Sequence, residues 1–141
     1  MSDAIRSASA PKPVGAYPHA RRVGDLIFVS GMGPRTPGTD LIPGGPVQDG
    51  SGVLLPYDVA AQMRQVVANL NGVLKDAGAS LEDIVDVTVF LIDMRRDFPA
   101  FNTVYAELLG EIGPTRTTVE VRALPTPIAV ELKVIAYRPI R

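Results

Sequence analysis

The chain has 141 residues, 46% of them apolar, and its 14 basic and 15 acidic side chains leave a formal charge of -1. That length and apolar share suit one domain with a real core, and the charge balance offers no electrostatic grip on a phosphate backbone. With no cysteine and one histidine, His19, the composition excludes disulfides, thiolate metal sites, a catalytic thiol and His-rich metal sites, and a Ser-His-Asp triad could be built only around His19.

In chain order, MSDAIRSASAPKP is small, polar and proline-punctuated and lacks the apolar run of a signal peptide. It predicts a flexible lead-in over 1–13, followed by one domain over 14–141. No stretch approaches the roughly 18 apolar residues of a membrane span, so the expectation is a cytoplasmic protein without a membrane partner. Residues 17–23 and 26–30 read as antiparallel strands around a Gly24-Asp25 hairpin turn. From 31 to 56, glycine and proline recur too often for a regular element, and a loop that long is usually functional or mobile, here as the wall of a pocket.

Over 57–77 the apolar residues Val59, Met63, Val66, Val67, Leu70, Val73 and Leu74 recur at helical spacing, with Asp58 in the first turn and Gly78 as the stop. Residues 84–92 read as a strand in which Val85, Val87, Val89 and Leu91 share one face. A second helix is predicted over 98–109, with Asp97 as N-cap, Pro99 in the first turn and Phe101, Val104, Tyr105 and Leu108 as its apolar face. Strands at 115–122 and 129–137, joined by the proline-rich LPTPI, complete a ββαβαββ order of the α+β class. Two helices cannot cover both faces of such a sheet, so they are expected on one face, with neighbouring subunits on the other. Within the last strand Val130, Leu132 and Val134 share one face and Glu131, Lys133 and Ile135 the other.

Among candidate functional side chains, Arg116 enters a strand from a glycine-bounded turn, where its fork of donors suits a carboxylate; a solvated arginine is the plain alternative. Glu131 lies within an apolar strand, which leaves three roles: paired to a cation, exposed, or a proton-transfer group with a raised pKa. Tyr17 and His19 stand in GAYPHA at the turn into the first strand, and a lone histidine is more often structural than catalytic. Ser30 and Gly31 belong to SGMG, whose glycines let backbone N–H groups approach an anion. Neither a GxGxxG nor a Walker pattern occurs. The short pairs Arg21-Arg22 and Arg95-Arg96 are flanked by acids and read as solvated faces.

Taken in order, GAYPHA, LIFVSGMG, the long run VVANLNGVLKDAGASLEDIVDVTVFLIDMRRDFPAFNTVY, GPTRTTVEVRALP and VELKVIAY resemble the motif set of the Rid (YjgF/L-PSP-like) family across residues 14–137. The resemblance implies a chorismate-mutase-like α+β fold, a homotrimer with active sites between subunits, and hydrolysis of enamine or imine carboxylates to ammonia without metal or organic cofactor. By position it makes Arg116 the clamp for the substrate carboxylate and Glu131 the acid–base group that handles water, with Tyr17, Ser30, Gly31, Asn102 and Thr118 around the pocket. Thr118 stands where the common subgroup carries cysteine, and GAYP replaces its GPYS turn, so the pocket differs from that of the common iminopropanoate deaminases. The variant motifs are closer to 2-aminomuconate deaminases of aromatic degradation, whose dicarboxylate substrate needs a second cation, supplied by Arg35 or His19. A generalist 2-iminobutanoate/2-iminopropanoate deaminase is the first alternative. An endoribonuclease and a non-catalytic ligand-binding module are the others, and the absence of a basic stripe weighs against a nucleic-acid partner.

Overall fold

The computed structural model describes residues 3–140; Met1, Ser2 and Arg141 lie outside the described residues. Among the described residues six strands and two helices form: β1 Asp3–Ile5, β2 Ala20–Val23, β3 Leu26–Met32, α1 Val59–Asp76, β4 Ile84–Leu91, α2 Met94–Leu109, β5 Thr115–Glu120 and β6 Val130–Tyr137, with a 3-10 turn at Leu81–Asp83. The flexible lead-in expected over 1–13 is corrected: Asp3–Ile5 pairs with β2, and Ser7 and Ala10 are buried. Three residues are too short for periodicity to register, and here the partner strand supplies the pairing.

The sheet runs β1-β2-β3-β6-β4-β5 and is mixed: only β4 and β5 are parallel, joined by the α2 crossover, as a parallel pair requires. Both helices pack on one face, α1 against β3 and β6, α2 against β4 and against α1. Strand positions on that face are buried, among them Ile27, Val29, Val87, Val89, Leu132 and Val134, while the alternate positions stay partly open. On β6 this sends Val130, Leu132 and Val134 to the core and Glu131, Lys133 and Ile135 to the uncovered face.

The helix boundaries differ from the sequence reading for identifiable reasons. Asp58 is extended and caps α1, its side chain accepting from Ala61 N–H at 3.2 Å, so α1 starts one residue later than a first-turn aspartate would place it. In α2 the cap is Asp93, which accepts from Arg96 N–H at 3.0 Å, and Asp97 instead lies buried inside the helix, near its start. Pro99 sits inside the helix, where it lacks only the N–H that would reach back one turn. A register shift between Ile84 and Asp86 turns Val85 out to solvent, while Val87, Val89 and Leu91 keep the inward phase. Arg22 is not simply solvated: its guanidinium donates to the carbonyls of Gly24, Ala77 and Arg138.

The segment between β3 and α1 has no strand or helix but is tied to the fold by two buried amides on α1. Gln62 donates to Gly45 O at 2.9 Å and accepts from Ala129 N–H at 2.7 Å. Asn69 donates to Gly33 O at 3.0 Å and Arg35 O at 2.9 Å. Gly44, with φ of +78°, lies against Asp58, where a Cβ would come within 2.4 Å of the Asp58 carbonyl oxygen.

Candidate active site

The expected site residues fall into two groups. The first surrounds Glu131, which lines one pocket with Val14, Tyr17, Gly31, Gly33, Arg35, Pro125, Thr126 and Ile128. A bulge in β3 opposite β6, between Val29 and Met32, brings Gly31 beneath the carboxyl. A Cβ at Gly31 would lie 2.5 Å from Glu131 Oε2, so the glycine creates the space that the acid fills. Burial pushes the Glu131 carboxyl above its ordinary range, and no hydrogen bond or ion pair reaches it among the described residues. Ser30 faces away from this role: its hydroxyl donates to Pro18 O at 2.8 Å and its N–H to His19 O at 2.9 Å. Arg35 donates to Lys12 O at 2.8 Å, and its nearest acid, Asp40, is 3.7 Å away with a side chain 98% exposed, which leaves the guanidinium's charge largely uncompensated. Lys133, two residues along the same face, donates to Val29 O at 2.7 Å, and burial lowers its pKa.

The second group surrounds Arg116. Its guanidinium donates to Asn102 Oδ1 at 2.8 Å and lies over the Tyr105 ring, 4.6 Å from the centroid, with Phe101 at 5.7 Å and Phe98 at 5.8 Å. Thr118, two residues on, shares the Arg116 face, and among the described residues its buried hydroxyl has no hydrogen-bond partner; nor does that of Tyr105, whose phenol pKa burial pushes up. The aromatic floor is absent from the sequence reading, although Phe98, Phe101, Asn102 and Tyr105 recur at the three- and four-residue spacing of one helix face.

The two groups do not meet within one chain. Arg116 pairs with Val87 and Thr118 with Val89, both core positions, so these side chains belong to the helix-covered face. Glu131 pairs with Phe90, on the opposite face. His19 joins neither group: it is buried, its Nδ1 accepts from Ser7 N–H at 3.0 Å, and its Nε2 lies 2.7 Å from Pro11 O. With both ring nitrogens engaged it has none to offer a substrate, which corrects its assignment as a second cation. Among the described residues no three His, Asp or Glu side chains gather as a metal-binding group, and no helix is long and apolar enough to cross a membrane.

The family model described as endoribonuclease L-PSP matches residues 7–138. A RutC family protein of Pyrococcus abyssi is 40% identical over 136 residues, covering 96% of this chain and 97% of its own. The 2-iminobutanoate/2-iminopropanoate deaminase of Escherichia coli is 34% identical over 141 residues, covering 98% and 99%. Among solved structures, RidA from an Antarctic Psychrobacter has a TM-score of 0.82 at 33% identity, covering 96% and 98%. E. coli TdcF with bound serine has a TM-score of 0.81 at 32% identity, covering 96% and 98%.

Proposed function

From the premise that the chain belongs to the Rid family, we propose that it is a hydrolytic deaminase that takes an enamine or imine carboxylate and releases ammonia. The observation that carries this reading is Glu131, a carboxyl held in a pocket with its pKa raised by burial and without a partner of its own among the described residues. Such a group can accept a proton from water and return it to a leaving nitrogen. A pocket that only bound carboxylates would gain nothing from that second negative charge.

The chemistry balances with these groups alone. Protonation at carbon, with an N–H proton released to solvent, converts the enamine to the imine. Glu131 accepts a proton from water as the water oxygen bonds to the imine carbon, and the C=N electrons go to nitrogen, which is protonated. Glu131 then takes the hydroxyl proton of the resulting carbinolamine and passes it to nitrogen, the O–H electrons form the carbonyl as the C–N pair leaves with nitrogen, and ammonia departs. Arg116 grips the substrate carboxylate through two parallel N–H donors and orients the imine carbon toward the water. Because Arg116 and Glu131 occupy opposite faces of one sheet, the site is assembled from two copies, Glu131 from one and Arg116 from its neighbour, in the homotrimer that the family resemblance implies.

For the substrate, the E. coli relative's name favours small 2-imino acids, and the relative solved with serine holds an α-amino carboxylate. Arg35 supports a second reading, a dicarboxylate such as 2-aminomuconate, because it lines the Glu131 pocket with its charge largely uncompensated. The deciding experiment is ammonia release by wild type, Arg116→Ala and Arg35→Ala on freshly generated 2-aminomuconate and 2-iminopropanoate. Arg116→Ala should cost about 10- to 100-fold in kcat/KM on either, as expected for a charge-assisted hydrogen-bond pair. If 2-aminomuconate is the substrate, Arg35→Ala raises its KM far more than that of the small imine; equal effects remove Arg35 from that role. Silence on both substrates, with RNA cleaved or a carboxylate merely bound, would replace the deaminase reading by one of its alternatives.

A further inference from the structure

Residues 6–19, between β1 and β2, form a strap that crosses α1 and ends against the Glu131 pocket. Ser7 Oγ donates to Asp76 at the end of α1. Ser9 packs on Gly72, where a Cβ would fall 2.7 Å from Ser9 Cβ and 2.9 Å from its carbonyl oxygen, so only glycine lets the strap lie this close. Beyond this crossing, Lys12 O accepts from Arg35 at 2.8 Å and Val14 N–H donates to the Tyr17 hydroxyl at 3.3 Å. Val14, Tyr17 and Arg35 all line the pocket that holds Glu131. The strap is therefore one wall of that pocket.

His19 is where this wall is fastened. It is 7% exposed, and its ring spans the strap, Nδ1 accepting from Ser7 N–H and Nε2 donating to Pro11 O. This pattern fixes the neutral Nε2–H tautomer. Its main chain ties the same point to the sheet, N–H to Ile5 O at 3.0 Å and carbonyl from Ser30 N–H at 2.9 Å, next to the bulge beneath Glu131. We propose that His19 is a positioning residue that fastens residues 7–11, and so holds Lys12 and Val14 where they set Arg35 and Tyr17 against the Glu131 pocket. The proposal rests on that pocket being the substrate site. A glutamine offers one donor and one acceptor, as neutral imidazole does; a leucine offers neither.

The test compares full-length wild type, His19→Gln and His19→Leu by hydrogen exchange over residues 7–14, by calorimetric titration with muconate, and by kcat and KM for deamination. His19→Leu should speed exchange of the Ser7 and Val14 amides, weaken muconate binding about tenfold and raise KM by a similar factor, the equivalent of one lost hydrogen bond, with kcat kept within about twofold. His19→Gln should restore all three. Faster exchange with unchanged KM would make the strap a feature of the fold alone and overturn the proposal, as would leucine and glutamine variants that behave alike. A wild type that binds muconate but releases no ammonia would remove the deaminase reading and leave this one standing on exchange and binding.

Discussion

A methyl group at position 31 would meet the Glu131 carboxyl at 2.5 Å, and the atoms nearest to it all belong to that one side chain rather than to backbone. Gly31→Ala is therefore expected to push the acid out of its place without unfolding the chain: kcat/KM falls about 10- to 100-fold while the melting temperature moves by no more than about 2 °C, read from kinetics beside a thermal melt. Glu131 also carries a stability signature. Its folded pKa lies above the ordinary carboxylate value, so the native state binds its proton more tightly, and stability falls as pH rises from that ordinary value through the raised one. Glu131→Gln abolishes this dependence. Its melting temperature, compared with wild type along a pH series upward from about 4, should gain until the raised value is passed and then level off, while activity drops by about 10²- to 10⁴-fold. A difference independent of pH would mean that burial does not disfavour the charged acid. Such a residue is legible in the sequence because a carboxylate in a strand of Val, Leu and Ile needs a reason. The role of His19 is not, since it is fixed by Ser7 and Pro11, which no local pattern links to it.

At the scale of elements, long periodic segments are readable and their ends are not. The α1 stripe from Val59 to Leu74 specifies a helix by itself, whereas α2 begins four residues before the expected start because Pro99 suggests a first turn and Asp97 a cap. In the folded chain Asp97 serves contact between elements: the Tyr57 hydroxyl, on the approach to α1, donates to its Oδ2 at 2.6 Å. Burial raises the Asp97 pKa and the Tyr57 hydrogen bond opposes that rise. Tyr57→Phe removes the opposition and leaves a buried carboxylate with Arg96 at 3.7 Å as its remaining partner. A loss of about 1–3 kcal/mol is expected from an unsatisfied buried acceptor. Because the variant's Asp97 pKa is higher still, the loss should shrink as pH falls from about 8 toward that raised value and protonation relieves the charge; urea denaturation along a pH series measures it. Equal losses would assign the effect to packing of the ring. The β4 bulge that exposes Val85 and the three-residue β1 escape the sequence for the same reason, that each is defined by a partner strand rather than by its own residues.

At the scale of the molecule, counting elements is enough to anticipate a sheet with helices on one face and an uncovered second face. The placement of the two candidate side chains needs the register: Val87 opposite Arg116 and Phe90 opposite Glu131 set the arginine and the glutamate back to back. That arrangement makes a prediction that does not depend on knowing the contact surface. If each site takes Glu131 from one copy and Arg116 from the next, then subunits carrying Arg116→Ala still contribute the acid and subunits carrying Glu131→Gln still contribute the clamp. Unfolding the two impaired variants together and refolding them as a 1:1 mixture should leave roughly one site in four with both groups intact, a half chance for each contributing copy. Ammonia release should then return to about a quarter of the wild-type rate from parents that each keep about a tenth of it or less. A site built within one chain would regain nothing on mixing, because every copy would still lack one group. A mixture that stays silent while native mass spectrometry shows mixed oligomers would thus return both residues to a single subunit, which the sheet's two faces do not allow without refolding β5 or β6.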